Sequence, residues 1–353
     1  SKWVDFYRQN GGFKALHYPL GNYNIPYLYF LCLFSYSSIN DLYLIKLLSI
    51  FFDVLLAYGA MMLLRKVRES IPARIACFFT VLFLPTVILN GSLWAQCDSI
   101  YVALAVLAIY LALDDRPILS VLFFTLSFGF KLQAVFLLPV MAVLWLKGKY
   151  KLWQFLLFPV FYVLLVLPAV ALGKPFLETL TLYASQTGSI GDGLNYNSPS
   201  VYAFFQYDPS VTDLAAASRV GIIAAFVFMC VILAVCAIKR RSITNGVIVA
   251  AAVLFAVGIP FLLPHMHDRY FFAADVLTVV MAYAYVKYAA AAPLTQFASL
   301  LGYHAYLKMR YLLLMDHGAR ALIVALMLGI VLFAQLLSAN GDTGAAGMHT
   351  DAE

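Results

Sequence analysis

The chain has 353 residues, of which 64% are hydrophobic and 11% charged, with a mean hydropathy of +0.89. Soluble globular domains carry about 25% charged residues, so this composition excludes one and fits an integral membrane protein. The net charge of +6 does not point to nucleic acid, because Lys and Arg sit in short loops between apolar runs, as in the cytoplasmic loops of membrane proteins.

Residues 1–41 are aromatic and mixed in polarity, without a signal-peptide pattern. They read as an outer-face N-terminal segment, in which 26–35 is apolar but too short to span and suits an interfacial helix. Apolar runs follow at about 42–64, 75–89, 100–113, 118–130, 132–146, 152–172, 215–238, 247–263, 270–288 and 321–337. They do not alternate as barrel strands would, so the expected fold is all-α, a polytopic transmembrane bundle of about ten spans. The stretch 118–146 reads either as two short helices meeting at Lys131 or as one broken helix. The stretch 289–317 is mixed and suits an amphipathic piece beside the membrane. The transmembrane domain then covers 42–338, and 339–353 is a flexible polar tail.

Arg65, Lys66, Arg68 and Arg74, opposed only by Glu69, mark their loop as cytoplasmic. Alternation from that anchor puts 114–116, 147–151, 239–241 and 287–320 on the same side. Residues 1–41, 90–98, Lys131, 173–213 and 264–269 fall outside. An outer N-terminus without a span before it implies that a transmembrane helix precedes Ser1. The five cysteines have no metal-ligand spacing. Three lie in apolar runs, where they pack as small hydrophobes, while Cys32 and Cys97 share the outer side, which leaves a disulfide open to them.

Polar residues gather at three outer breaks. The first is Trp94-Ala-Gln96-Cys-Asp98-Ser99, where Asp98 suits a helix N-cap and Trp94 an interfacial belt. The second is Phe130-Lys131-Leu-Gln133. The third is Pro264-His265-Met-His267-Asp268-Arg269-Tyr270, the densest run of ionisable groups in the chain. One such group can snorkel or anchor a helix, but ionisable residues at membrane depth point to function when several converge. His265 and His267 alone make a weak metal site, since no third ligand is fixed. Asp53 lies near the middle of the first span and faces a polar neighbour or, in a sharper reading, a proton pathway. The long loop 173–213 is rich in Tyr, Asn, Ser and Gly and suits either a sugar-binding lid or an ordinary interfacial loop.

Together, Trp94-Ala-Gln-Cys-Asp98-Ser-Ile-Tyr101, Phe128-Gly-Phe-Lys131-Leu-Gln-Ala-Val-Phe-Leu-Leu-Pro139 and Pro264-His-Met-His-Asp-Arg-Tyr-Phe-Phe272 resemble the GT-C membrane glycosyltransferases. The likeness is to bacterial mannosyltransferases related to the GPI mannosyltransferase II, and it runs from about residue 10 to 290. It implies a GT-C-like helical bundle with an outer-face active site in the cell membrane. The implied donor is a polyprenyl-phosphate hexose, the acceptor a glycan, lipid or protein, and the only other partners are membrane lipids. No cofactor or metal is implied, because the lipid-linked donor is itself a substrate. By this resemblance Asp98, His267 and Asp268 are catalytic candidates. Trp94, Gln96, Lys131, Gln133, His265, Arg269 and Tyr270 are substrate-binding candidates, with Lys131 and Arg269 expected to share the donor's phosphate. The sequence departs from the family at Ala95, where Gly is frequent, and in having no acidic residue after a first helix. The general base is therefore expected before Ser1, with Asp98 in support. The rival readings are a transporter and a non-catalytic membrane subunit of an envelope assembly.

Overall fold

In a computed structural model, the described residues are 2–20, 23–187, 193–205 and 213–339. The tail after Ala339, and Asp192 and Asp208 of the long loop, lie outside them. The fold is all-helical apart from two very short strands, among the described residues. In chain order the helices are α1 (Lys2–Gln9), α2 (Ile25–Phe34), α3 (Asp41–Arg65), α4 (Ile71–Leu82) and α5 (Pro85–Ile88). Next come α6 (Asp98–Leu113), α7 (Pro117–Phe130), α8 (Pro139–Leu146), α9 (Leu157–Ala171), α10 (Phe176–Leu180) and α11 (Leu182–Thr187). The last five are α12 (Leu214–Ile238), α13 (Asn245–Leu262), α14 (Phe272–Ala284), α15 (Ala291–Lys308) and α16 (Met315–Ala339). The strands are β1 (Asn195–Tyr196) and β2 (Met266–His267).

The chain divides into two compact units that interleave along the sequence. The first is Ser1–Gly59, Val87–Val135 and Lys151–Gly191; the second is Ala60–Thr86, Phe136–Tyr150 and Asp192–Glu353. At the centre of the first unit is the hairpin α6–α7. Ser120 donates to the Ala108 carbonyl (2.6 Å) and Ser127 to that of Tyr101 (2.6 Å), one helix rising as the other falls. Helix α6 is apolar on every face, and nearly all of it is buried, which is how such a helix escapes water. Helix α9 contains Pro168, which cannot supply a backbone N–H. One turn of its ladder is completed from outside. The Tyr29 hydroxyl donates to the Leu165 carbonyl (3.0 Å) and accepts from the Ala169 N–H (3.1 Å).

In the second unit α13 is the buried centre, packed by α8, α12, α14 and α16. Its start is set by Thr244, whose hydroxyl accepts the Val247 N–H (3.3 Å). Three bonds gather the basic loops at this end of the unit. Asn245 donates to the Lys66 carbonyl (2.8 Å), Lys147 to that of Ile243 (2.9 Å) and Arg68 to that of Tyr283 (2.7 Å). The turn between α13 and α14 lies at the other end.

Among the described residues, five helices are long and apolar enough to cross a membrane: α3, Leu152–Ala171, α12, α13 and α16. A sixth is possible if α4 and Pro85–Leu93, bent by 41°, count as one span. That is the signature of a helical membrane protein. The segments expected at 100–113, 118–130, 132–146 and 270–288 fall in apolar helices of 10–17 residues. The stretch 118–146 is broken rather than continuous. Lys131 is extended (φ −155°, ψ 134°) between α7 and a 3-10 turn, Leu132–Phe136. The expected amphipathic piece is instead α15, which turns Thr295 and Ser299 inward against α14 and Gln296 against Thr86. Cys32 and Cys97 are buried free thiols, so the disulfide is not formed.

Because the three loops are tied at one end, cysteines placed singly at Lys66, Lys149 and Arg241 in a cysteine-free background should label from one side of the membrane. Labelling of any one of them from the opposite side would overturn this arrangement.

Candidate functional site

In the first unit, helix α5 does not run directly into α6. After Ile88 the backbone widens into a π turn, Leu89–Leu93, closed by the Trp94 N–H on the Leu89 carbonyl (2.9 Å). Such wide turns recur at functional sites because they free backbone groups from the regular ladder. The Gln96 N–H then returns to the Asn90 carbonyl (2.9 Å), while Ala95 sits in the left-handed region at φ 60°.

This loop is pinned to α3. Ser49 donates to the Gln96 carbonyl (2.9 Å), and the Ser99 hydroxyl donates to Asp53. Gly91 lies so close to the Asp53 carboxylate that a side chain there would collide with it. At 1.5 Å per residue, Asp53 stands roughly 18 Å along α3, near its midpoint. The polar loop therefore lies beside the middle of a membrane-length helix, not beyond its end. Irregular backbone at such depth is tolerated only where protein or a wet cavity covers its polar groups. The Gln96 side-chain oxygen is buried and has no hydrogen-bond partner among the described residues.

Asp98 is the first residue of α6, with Cys97 at the cap position, so it does not serve as the N-cap. Its carboxylate is fully buried and engaged on both oxygens, with Asn90 Nδ2 donating to Oδ2 (2.8 Å) and Lys131 paired with Oδ1. The pair follows from the hairpin, whose antiparallel register carries the end of α7 to the start of α6. The positive end of the α6 dipole adds to the attraction on Asp98. The Lys131 ammonium also lies 6.0 Å from the centre of the Tyr101 ring. Gln133 follows on the partly exposed 3-10 turn.

In the second unit, β1 and β2 pair in parallel, Asn195 with Met266 and Tyr196 with His267. His265 sits in the left-handed region at φ 61°. Its Nδ1 donates to the Gly193 carbonyl (2.7 Å), since a carbonyl can only accept, and its Nε2 contacts the Ser218 hydroxyl on α12 (3.1 Å). The ring thus holds the turn in place. The His267 ring stacks on Tyr196 (4.8 Å between centroids, 14° between planes) and lies 5.2 Å from that of Tyr270. The two histidines have different neighbours, and no group of three His, Cys, Asp or Glu side chains gathers among the described residues. Asp268 is buried and 3.5 Å from the Arg269 guanidinium. A Cβ at Gly302 of α15 would stand 2.7 Å from the Asp268 carbonyl oxygen and 2.9 Å from that of Asn197.

The structure thus gathers Gln96, Asp98 and Lys131 in the first unit and His267, Asp268, Arg269 and Tyr270 in the second. Lys131 and Arg269 each have a carboxylate partner in their own unit. Sequence reasoning gave Asn90 and Tyr196 no site role and left Asp53 without its partner, Ser99. No protein-family model matches the chain, and no curated protein matches it.

Two substitutions test this local geometry. Ala95→Gly should raise stability by up to about 1 kcal/mol, because glycine adopts the left-handed conformation without the Cβ clash. Gly302→Ala should cost about 1–3 kcal/mol, since the added methyl meets backbone that cannot rotate away. Thermal unfolding of the purified protein reads both.

Proposed function

We propose that this chain is a multi-pass cell-membrane glycosyltransferase of about ten spans, counting short as well as long apolar helices. It transfers a hexose, mannose in the first instance, from a polyprenyl-phosphate donor to an acceptor outside the cytoplasm, with inversion. The motif resemblance gives the reaction class. The observation that supports it is the buried Lys131, held by Asp98 at a helix end in the same unit as the Gln96 oxygen, which has no hydrogen-bond partner among the described residues.

Inverting transfer needs a base for the acceptor hydroxyl and cations for the departing phosphate. The acceptor oxygen attacks the anomeric carbon, its proton passes to the base, and the bond to the phosphate oxygen breaks. The Lys131 ammonium has three donors and spends one on Asp98, so the others are left for phosphate oxygens. Asp98, engaged on both oxygens, is a positioning residue for that cation and not the base. Gln96 offers an acceptor to a sugar hydroxyl, and Trp94 a ring face. In the second unit, Arg269 brings a planar fork suited to phosphate, and the partly exposed His267 a ring whose nitrogens can donate or accept a hydrogen bond.

A transporter remains the second reading because of one observation. Asp275 of α14 is a fully buried carboxylate, with the Ser299 hydroxyl on Oδ1 (2.9 Å). Purified protein in vesicles separates the two readings. Sugar release from polyprenyl-phosphate-mannose supports transfer, while uptake of a solute without such release supports transport.

Removing one member of a buried ion pair costs about 3–5 kcal/mol, whereas replacing both with apolar side chains can be neutral. Asp98→Asn alone should therefore lower the melting midpoint as well as turnover. The double change Asp98→Leu with Lys131→Met should recover the midpoint but not the transfer. Wild-type turnover in that double variant would reduce the pair to a structural element. Arg269→Lys should cut turnover about tenfold with an unchanged midpoint if the fork holds phosphate; an undiminished rate would remove Arg269 from the site.

A further inference from the structure

At the basic end of the second unit is a cleft of about 390 Å³. Lys66 and Lys147 line it from separate segments, together with Thr244, Asn245 and Gly246 at the start of α13 and Tyr285 after α14. We propose that this cleft binds a phosphate group, carried by an anionic lipid headgroup or by a free phosphate compound.

The volume equals that of about a dozen waters at ~30 Å³ each, more than enough for a phosphate with its substituents. Two cations on different segments can grip opposite sides of one anion. Lys147 is fixed by its bond to the Ile243 carbonyl (2.9 Å), so its position does not depend on a ligand. Burial, with Lys149 nearby, pushes its ammonium pKa down, and a bound anion would relieve that strain. The backbone adds to the lysines. Thr244 takes the Val247 N–H (3.3 Å), whereas the N–H groups of Asn245 and Gly246 have no acceptor within the helix. Both residues line the cleft, at the positive end of an 18-residue helix. Gly246 lets the Tyr285 hydroxyl approach the backbone closely, and a Cβ there would displace the phenol from the cleft's edge.

The surroundings favour an anion over any other ligand. The bordering loops carry Arg65 and Lys66, Lys147 and Lys149, and the run Lys239–Arg241, against a single carboxylate, Glu69. The cleft also lies at the opposite end of α13 from the His265–Tyr270 turn, so the inference does not rest on the glycosyl-transfer reading. A headgroup phosphate would dock the basic end at a membrane surface, and a free phosphate compound would make the cleft a ligand site.

The test uses full-length protein in neutral detergent, with binding followed by native mass spectrometry. The probes are phosphatidylglycerol, phosphatidylcholine and inorganic pyrophosphate. Wild type should bind phosphatidylglycerol or pyrophosphate in preference to the zwitterionic lipid. The first assigns a lipid source, the second a soluble one. In the Lys66→Gln, Lys147→Gln variant, whose glutamine amide can still donate to Ile243, affinity should fall about tenfold or more. The Lys66→Arg, Lys147→Arg variant should retain it. If the glutamine pair does not fold, Lys66→Gln alone is read against Lys66→Arg. Equal retention of all three probes, no retention of any, or glutamine variants that bind like wild type would overturn the proposal.

Discussion

The structure of the first unit depends on keeping a polar, irregular loop at the depth of a membrane-length helix. Hydrocarbon offers no water to complete hydrogen bonds, so each polar group beside the middle of α3 needs a protein partner. Ser49 covers the Gln96 carbonyl, Ser99 covers Asp53, and Asn90 and Lys131 cover Asp98. These bonds tie α3, the π turn, α6 and the end of α7 to one another. The requirement also explains a glycine: with any side chain at position 91, Asp53 could not stand where it does. Satisfying the loop thus fixes where four segments meet.

The second unit meets the same demand by other means. The turn between α13 and α14 borrows regularity from β1, which supplies two residue pairs, and from the His265 ring, which links Gly193 to Ser218. The ring of His265 is spent on holding the loop, and that leaves His267, two residues on, to face Tyr196 and Tyr270. Deeper in the unit, Thr86 and Gln296 bond each other, as do Thr278 and Thr295. Bonds of this kind join helices that have no hydrophobic drive to associate in lipid.

What the sequence could show follows from the range of each interaction. Hydrophobic runs are local, so the all-helical class and the long helices α3, α12, α13 and α16 were legible from composition and length. The basic loops were legible as a set, and the bonds through Lys66, Lys147 and Arg68 show how they are gathered. Breaks were visible only as polar residues. Lys131 marked one between α7 and α8, but nothing local told that it would reach Asp98, 33 residues earlier. That pairing is a product of hairpin register. The depth of the Asn90–Asp98 loop was hidden for a related reason: hydropathy places a polar stretch at the boundary by default, and only the bonds from Ser49 and Asp53 reveal the neighbouring helix. For α15, mixed polarity suggested a surface position, yet its hydroxyl and amide groups turn inward because α14 presents Asp275 and Thr278 to them.

The energetics of the Asp98–Lys131 pair bear on why it is present. Desolvating two charges costs several kcal/mol each, and their mutual attraction roughly repays that only when the remaining lone pairs are bonded as well. Here Asn90 and the start of α6 complete the carboxylate, so the arrangement is tolerable, but it gives the fold little that two well-packed apolar side chains would not. An arrangement of that kind is best understood by what it holds ready. Lys131 stands against a carboxylate that Asn90 and the start of α6 hold in place, so its side chain is oriented by the fold itself. On the proposed reading, an arriving phosphate would meet a cation already oriented by Asp98, with little reorganisation left to oppose the transfer.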